Sequence, residues 1–447
     1  MSTTRQADTS SSPLRGLLLF LIIAVLFVLE GATRNAMFSG SWNSALSILN
    51  MGLISAVTAL GVNMIWGYGG LFNAGVVGFV ALGGLAPILI STPPVAGAWA
   101  AGGPRLILAL AVGLATLVLA IVAAKRLSRG LRFWGAALVL IVGYVLTRMA
   151  FDPAVTAIEA NNPAEAGNIG GLGLPILMSW PVGMLLAAIA AWGVGKVALG
   201  LRSDYLAIAT LGIGEIIVAI LKNEGWLARG VLNMTGVPRP VPYELALQSN
   251  ADFVAAAARW GMDAATASGI YVKLCYTAIF VAVVLTLILL SQLALYSPWG
   301  RMMRAIRDNE TAAAAMGKNV TRRHLQLFVL GSAVIGLSGA MMVTLDGLMA
   351  PGGYNPLRYT FLIWVMVIVG GSGNNWGAVL GALLIWFLWI KAEVWGPALM
   401  SLLTLPLSEG GLRRHLIESA PQMRYVAMGL VLLLVLRFAP RGLLPER

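Results

Sequence analysis

Runs of about 20 mainly apolar residues recur along the whole chain, and each is long enough to cross a bilayer as one helix. About twelve such segments can be marked, at approximately 14–30, 44–66, 71–90, 105–123, 133–150, 177–195, 204–222, 269–295, 325–346, 359–372, 377–395 and 422–438. The fold class read from them is an all-α polytopic membrane protein. Two segments are weak as full spans. Gly212 and Gly214 interrupt 204–222, and 359–372 is short and runs into GGSGNNWG. Each is a candidate broken or re-entrant helix. Such backbone survives at membrane depth only when packed in protein or lining a wet cavity. Composition agrees: 59% of residues are hydrophobic and 11% are charged, against about 25% charged in an ordinary soluble domain. The 52 glycines suit helices that must approach closely where lipid supplies no hydrophobic drive to associate.

The net charge is +12. The basic residues cluster at the ends of apolar runs, which is the pattern of membrane orientation and not of a nucleic-acid face. The expected partner is therefore the lipid bilayer, with no nucleic acid. With the N-terminus in the cytoplasm and strict alternation, more than half of the 30 basic residues but only a third of the 18 acidic ones fall inside. The tracts 125–132 and 301–323 are both among them. This predicts an even number of spans with both termini cytoplasmic, although Arg413 and Arg414 fall outside. Residues 1–13 are polar and read as a disordered cytoplasmic N-terminus, 14–440 as the transmembrane domain and 441–447 as a cytoplasmic tail. The run Leu17–Leu29 resembles a signal-peptide core but has no convincing small-residue cleavage site, so it reads as a retained first span.

Two stretches on the outer side look structured. Residues 151–176 hold Asp152, Glu159 and Glu165 without Lys or Arg. The lobe 223–268 contains LALQSNADFVAAAARWGMDAATA, with helical apolar spacing but too much polarity to span. It can be an amphipathic surface helix, a docking lobe for an external partner, or a lid packed on the bundle.

Catalytic constellations are missing. No GxxxxGK[ST] phosphate loop occurs; GVGKV at 193–197 has the wrong spacing and ends an apolar run. His324 and His415 lie far apart, without metal-ligand spacing. The single cysteine, Cys275, permits no intrachain disulfide. No GxSxG elbow is present. No enzyme, metal or cofactor is expected in this chain. The clearest ionisable residue inside a span is Glu215, in YLAIATLGIGEIIVAIL. It can line a path, or it can bind backbone N–H groups freed by a helix break. Asp346 is a second candidate, at the outer interface.

The most informative stretch is SPWGRMMRAIRDNETAAAAMGKNVTRRH, residues 297–324. From Gly300 it reads as one short helix through Met316, stopped by Gly317, since glycine commonly follows a helix C-terminus. Arg301, Arg304, Arg307 and Asp308 mark one face. Such a basic amphipathic helix can lie on anionic lipid, or it can be a knob that inserts into a partner ATPase.

At this point the sequence resembles a known family. Glu310-Thr-Ala-Ala-Ala-Ala-Met-Gly317 resembles the coupling loop of ATP-binding-cassette permeases. The segment GRMMRAIRDNETAAAAMGKNVTRRHLQLFVLGSAVIGLSGAMM is similar to LivM-like branched-chain amino acid permeases. So are LGVNMIWGYGGLFNAGVVGFVALGG at 60–84, LRSDYLAIATLGIGEII at 201–217 and VIVGGSGNNWGAVLGALL at 367–384. Residues 95–175 insert two further spans between these motifs, and NMTGVPRP at 233–240 departs from the family's usual stretch. The resemblance implies a permease subunit of an importer for branched-chain or similar small amino acids in a bacterial inner membrane. It implies a second permease subunit, two cytoplasmic ATP-binding-cassette ATPases that bind the ATP, and a periplasmic substrate-binding protein. The coupling segment is then about 298–324, with Gly300, Arg301, Arg304, Arg307, Glu310 and Gly317 as its site residues. Arg301, Arg304 and Arg307 would face the ATPase and Glu310 would cap or orient the helix. Gly67, Gly70, Gly212, Gly214, Glu215, Gly370 and Gly371 are candidates for the pathway or for helix breaks. Urea or another small amide as cargo, and an ion-coupled secondary transporter working through Glu215, remain alternatives.

Overall fold

The computed structural model describes residues 13–35, 37–128, 130–162, 167–405 and 410–446. The expected disordered stretch at 1–13 therefore lies outside the described residues apart from Pro13, as do Arg129 and Glu165. Ten helices among the described residues are long and apolar enough to cross a membrane, and two shorter apolar helices accompany them. The chain is a polytopic all-α membrane protein.

In chain order, the first half comprises α1 (Pro13–Ala32), α2 (Trp42–Val62), α3 (Val76–Ser91), α4 (Ala96–Arg126), α5 (Arg132–Glu159), α6 (Ser179–Ala198) and α7 (Ser203–Asn223). Three short helices follow: α8 (Gly225–Ala228), α9 (Glu244–Gln248) and α10 (Ala251–Arg259). Then come α11 (Ala264–Tyr296), the pair α12 (Pro298–Asp308) and α13 (Glu310–Ala315), and α14 (Val320–Asp346). The chain closes with α15 (Leu362–Gly370), α16 (Asn375–Leu403), α17 (Gly411–Glu418) and α18 (Met423–Phe438). The only sheet among the described residues is a two-residue antiparallel pair, β1 (Met234–Thr235) with β2 (Leu348–Met349).

Loop contacts sort the chain into two ends. Arg307 reaches Gly67 and Glu446 at one end, and Gly16 packs near Leu444 there. Pro94 bridges Gly170, and β1 pairs β2, at the other. The first turn of α1 and the C-terminal tail thus share an end with α12 and α13. That end also carries Lys196, Arg301, Arg304, Arg322 and Arg323, and we refer to it as the basic end.

The core is built from small residues. A Cβ placed on Gly83 of α3 would lie 1.8 Å from the Gly336 carbonyl oxygen of α14, and one on Gly336 would lie 2.6 Å from the Gly183 carbonyl oxygen of α6. A Cβ on Gly339 would lie 1.9 Å from the Val80 carbonyl oxygen. Three helices cross at backbone-to-backbone distance, so dispersion between main chains replaces a hydrophobic drive that lipid cannot supply. α2 and α14 are buried through most of their length, which makes them the centre of the bundle.

A buried ion pair locks α1 to α16. Glu30 is 0% exposed, Lys391 is 3% exposed, and their charged groups are in direct contact. The Glu30 carboxylate also accepts from Ser39 Oγ (2.7 Å) and Ser44 Oγ (3.1 Å). Its lone pairs are thereby used, as a buried charge requires. By contrast α4 and α5 form a hairpin that packs mainly on itself, with most of both helices exposed. The 223–268 interval is not one amphipathic helix. α9 ends at Gln248, and Asn250 caps α10, its side chain accepting from Asp252 N (2.9 Å) and Phe253 N (3.4 Å).

Candidate functional site

α2 does not run straight into a loop. Its last residues widen into a π-turn over Asn63–Gly67, the chain leaves the helix at Tyr68, and residues 71–75 are non-helical before α3 begins at Val76. A π-turn inside a helix is frequently a functional feature. The expected span 71–90 is not one helix. Only 76–91 is helical, and the preceding strand of chain climbs back from the basic end into the bundle.

The main-chain groups of this segment find side-chain partners on three other elements. Ala74 N donates to Thr210 Oγ1 of α7 (3.0 Å) and Val77 N to Thr360 Oγ1 (3.1 Å). Trp364 Nε1 of α15 donates to the Asn73 carbonyl (3.0 Å), and Gly75 N to Asn73 Oδ1 (2.9 Å). Irregular backbone at membrane depth must be satisfied in this way. Trp66 and Phe72 pack at a tilt against Trp364 with ring centres 4.8 and 4.2 Å apart. The Asn73 side-chain nitrogen is fully buried and has no hydrogen-bond partner among the described residues.

α7 packs along this break, and here the sequence expectation is corrected. Gly212 and Gly214 do not break α7, which is continuous from Ser203 to Asn223. Gly214 instead permits close approach. A Cβ on Gly78 would lie 2.8 Å from the Gly214 Cα, and one on Gly214 would lie 3.1 Å from the Gly75 Cα. Gly212 faces open space. A continuous helix frees no backbone N–H groups, so Glu215 cannot serve to hold a break. Glu215 lies on the exposed face of α7 and has no hydrogen bond or ion pair among the described residues. It stands about 18 Å along the helix from Ser203 and about 12 Å from Asn223, at 1.5 Å per residue.

At the basic end the two glycine-rich motifs, some 300 residues apart in sequence, meet. Asn63 Oδ1 accepts from Gly373 N (2.8 Å), and Asn63 Nδ2 donates to Asn375 Oδ1 (3.3 Å). Tyr68 Oη donates to the same Asn375 oxygen (2.5 Å). Burial, with the Glu446 carboxylate nearby, pushes the Tyr68 phenol above its usual range, so it keeps the proton it donates. A Cβ on Gly67 would stand 2.6 Å from Gly373 N. Gly370 ends α15, and Gly371 takes φ +117°, with a would-be Cβ 2.2 Å from the Leu444 carbonyl oxygen. Space and backbone angle both restrict position 371 to glycine. The tail continues this contact: Leu443 N donates to the Val369 carbonyl (2.8 Å) and Leu444 N to the Gly370 carbonyl (2.9 Å).

The helix pair α12–α13 is docked onto this junction. The expected single helix from Gly300 to Met316 is two helices, broken at Asn309. Ser297 caps the first, with Gly300 N donating to its Oγ (3.3 Å). Asn309 caps the second, its Oδ1 accepting from Ala312 N (2.9 Å). Glu310 is an exposed first-turn residue of α13, not its cap. Gly317, at φ +76°, follows the end of α13. Arg304 and Arg307 are partly buried against the protein, and Arg301 is exposed. Arg301 Nη1 donates to the Tyr296 carbonyl (3.0 Å) and Arg304 Nη2 to the Leu295 carbonyl (3.4 Å). Arg307 Nη1 donates to the Gly67 carbonyl (2.5 Å) and to Glu446 Oε2 (2.8 Å). Burial opposes the Arg307 charge, but Glu446 and Asp308 outweigh it and raise its pKa above the usual arginine value. Arg307 thus ties α12 to the main-chain oxygen at the end of the π-turn and to the C-terminal tail. Gly70 lies beside it, 3.6 Å from a Cβ position to Arg307 Cγ.

Sequence reasoning missed Asn63, Tyr68, Asn73, Thr210, Asn375 and Glu446. The two asparagines of the break carried a signal, since each stands in an apolar run where a polar amide needs partners. Glu446 carried none. Arg307→Ala is expected to speed amide exchange at Leu443 and Leu444 about fivefold, the size of a partly exposed ion pair. Hydrogen-exchange mass spectrometry reads this directly. Unchanged exchange would mean that backbone bonds alone hold the tail.

A profile of the family described as "Branched-chain amino acid transport system / permease component" matches residues 44–436. That stretch contains the break, α7, the helix pair and the Gly370–Gly373 turn. The chain belongs to this family. The high-affinity branched-chain amino acid transport system permease protein LivM of Escherichia coli K12 is 30% identical over 238 residues, covering 51% of this chain and 53% of that protein. The LivM protein of Salmonella typhimurium LT2 is 29% identical over the same length. A probable LivM of Methanocaldococcus jannaschii is 25% identical over 298 residues, covering 66% and 73%. The chain spans about half the length of the two enterobacterial relatives it matches. No solved structure matches the chain. The family's members are described as permease components of a transport system.

Proposed function

We propose that this chain is one permease subunit of an ATP-binding-cassette importer, carrying branched-chain or similar small amino acids across a bacterial inner membrane. It works with a second permease subunit, two cytoplasmic ATPases that bind the ATP, and a periplasmic substrate-binding protein. The basic end faces the cytoplasm, so both chain termini do too, consistent with the positive-inside rule.

The observation that carries this reading is the helix pair α12–α13. It joins two long spans, α11 and α14, at the basic end, leaves the α13 surface exposed, and is tied by Arg307 to the π-turn that begins the break. A push on α13 from the cytoplasm can therefore reach the Gly67–Gly373 contact through side-chain and main-chain bonds, without an ATPase in the same chain. Family membership supports the substrate class. Glu215 supports the second subunit. An unpartnered carboxylate in the middle of an apolar span must face a wet cavity or another protein, so this chain reads as part of a pathway that another subunit completes.

The test is uptake of radiolabelled leucine into proteoliposomes that hold this chain with its partner subunits. Uptake is expected only with ATP inside and binding protein outside. Gly317→Pro is expected to abolish uptake while the protein still inserts, because proline cannot adopt φ +76°. Glu310→Lys is expected to act likewise by reversing a charge on the exposed first turn. Full uptake by both variants would remove the coupling assignment. Glu215 is also what an ion-coupled carrier would need. Uptake driven by a proton or sodium gradient without ATP would favour that alternative. Urea competing with leucine would move the cargo to small amides.

A further inference from the structure

A groove of 1130 Å³ opens at the basic end between the last turn of α6 and the first turns of α14. Three cations line it, Lys196, Arg322 and Arg323, and no carboxylate does. None of the three makes an ion pair among the described residues. Arg323 donates only to Gln326 Oε1 (2.9 Å), and Lys196 lies 5.7 Å from the ring of Trp192. Arg322 and Arg323 sit in the first turn of α14, where the helix dipole is positive and no acidic residue offsets them. The protein thus concentrates like charge where its own backbone already disfavours it. A bound anion would relieve both.

The other wall of the groove is apolar. Leu325, Val329 and Leu330 line it on successive turns of α14, leading from the basic end into the membrane span. Gly200, just past α6, lines the groove with no atom within 4 Å of its Cβ position, so no side chain fills that end. Trp192 and Trp299 stand in the groove near the charged rim, the level that indole rings favour at a membrane surface.

We propose that this groove binds an anionic phospholipid, its phosphate held by Lys196, Arg322 and Arg323 and an acyl chain laid along Leu325, Val329 and Leu330. Basic pockets between membrane helices are suited to such headgroups. A free phosphate would leave the apolar wall without a role. A soluble partner protein would not reach residues two turns inside the span. The proposal rests on the membrane fold and stands apart from the transport reading.

Native mass spectrometry of the full chain in detergent tests it, with phosphatidylglycerol and phosphatidylcholine of identical acyl chains as probes. About tenfold preferential retention of phosphatidylglycerol is expected, in keeping with the attraction of a few basic residues for anionic lipid. Lys196→Gln/Arg322→Gln/Arg323→Gln is expected to bring the preference close to one. The charge-matched variant Lys125→Gln/Arg126→Gln/Arg132→Gln, at the tip of the α4–α5 hairpin, is expected to keep it. Equal loss in both triple variants would overturn the proposal in favour of non-specific attraction. Displacement of the lipid by millimolar inorganic phosphate would overturn it in favour of a plain anion site. Retained lipid preference in the groove variant, with lost co-purification of the ATPase, would overturn it in favour of a protein contact.

Discussion

Gly83→Val is expected to leave no correctly folded protein, seen as loss of the monodisperse peak in detergent size exclusion. A Cβ alone at this position would stand 1.8 Å from the Gly336 carbonyl oxygen and 2.7 Å from the Gly336 Cα. The obstacle is main chain, so no rotamer change can relieve it. Overpacking a core costs about 1–3 kcal/mol when side chains can yield. Here α3 and α14 must separate by more than an ångström. That separation would also loosen the neighbouring Gly336–Gly183 and Gly339–Val80 contacts. Dispersion is the main force between these helices, and it falls off steeply with distance. Gly193→Val is the control, because nothing lies within 4 Å of its Cβ position. It is expected to purify normally. Equal behaviour of the two variants would refute the packing argument.

Lys391→Met is expected to destabilise the protein by about 3–5 kcal/mol, the cost of leaving one buried charge without its partner. Glu30 is fully buried and its other polar contacts are two serine hydroxyls and the Ser39 N–H, which cannot replace a cation. The double variant Glu30→Gln/Lys391→Met is expected to recover most of the loss, since a neutral amide can keep the serine contacts without an unpaired charge. Thermal unfolding in detergent across the four proteins of the cycle measures the coupling. Additive losses would show that the two side chains act independently and that α1 is held to α16 by packing alone.

The membrane class was legible because it depends on the number and length of apolar runs, and these survive any arrangement of the helices. The segment at 359–372 was also legible as short, and its helix runs only over Leu357–Gly370 before the glycine-rich turn. The glycines of α7 misled for a related reason. Glycine weakens a helix and also allows helices to touch, and the sequence carries no sign of which use applies. Gly75 and Gly78 of the facing chain decide it, and they are more than 130 residues away in sequence. The break before α3 was legible only in part: Gly67 and Gly70 marked a break candidate, but its extent over 71–75 did not show in the apolar pattern. Its main chain is satisfied by Thr210 and Thr360, whose approach is a tertiary event.

The helix pair shows the same division. Composition marked 298–324 as a basic segment outside the membrane, and Gly317 marked where it stops. The direction of Arg307 depended on acceptors supplied elsewhere, the Gly67 carbonyl and the Glu446 carboxylate. Hydropathy and charge are properties of residues one at a time, so the sequence by itself determined the class, the number of apolar segments and the basic tract between two of them. Pairing of polar groups is a property of residues brought together. Only the tertiary structure decided that two distant glycine motifs meet, that Arg307 turns inward to them, and that Glu215 is left on an open face.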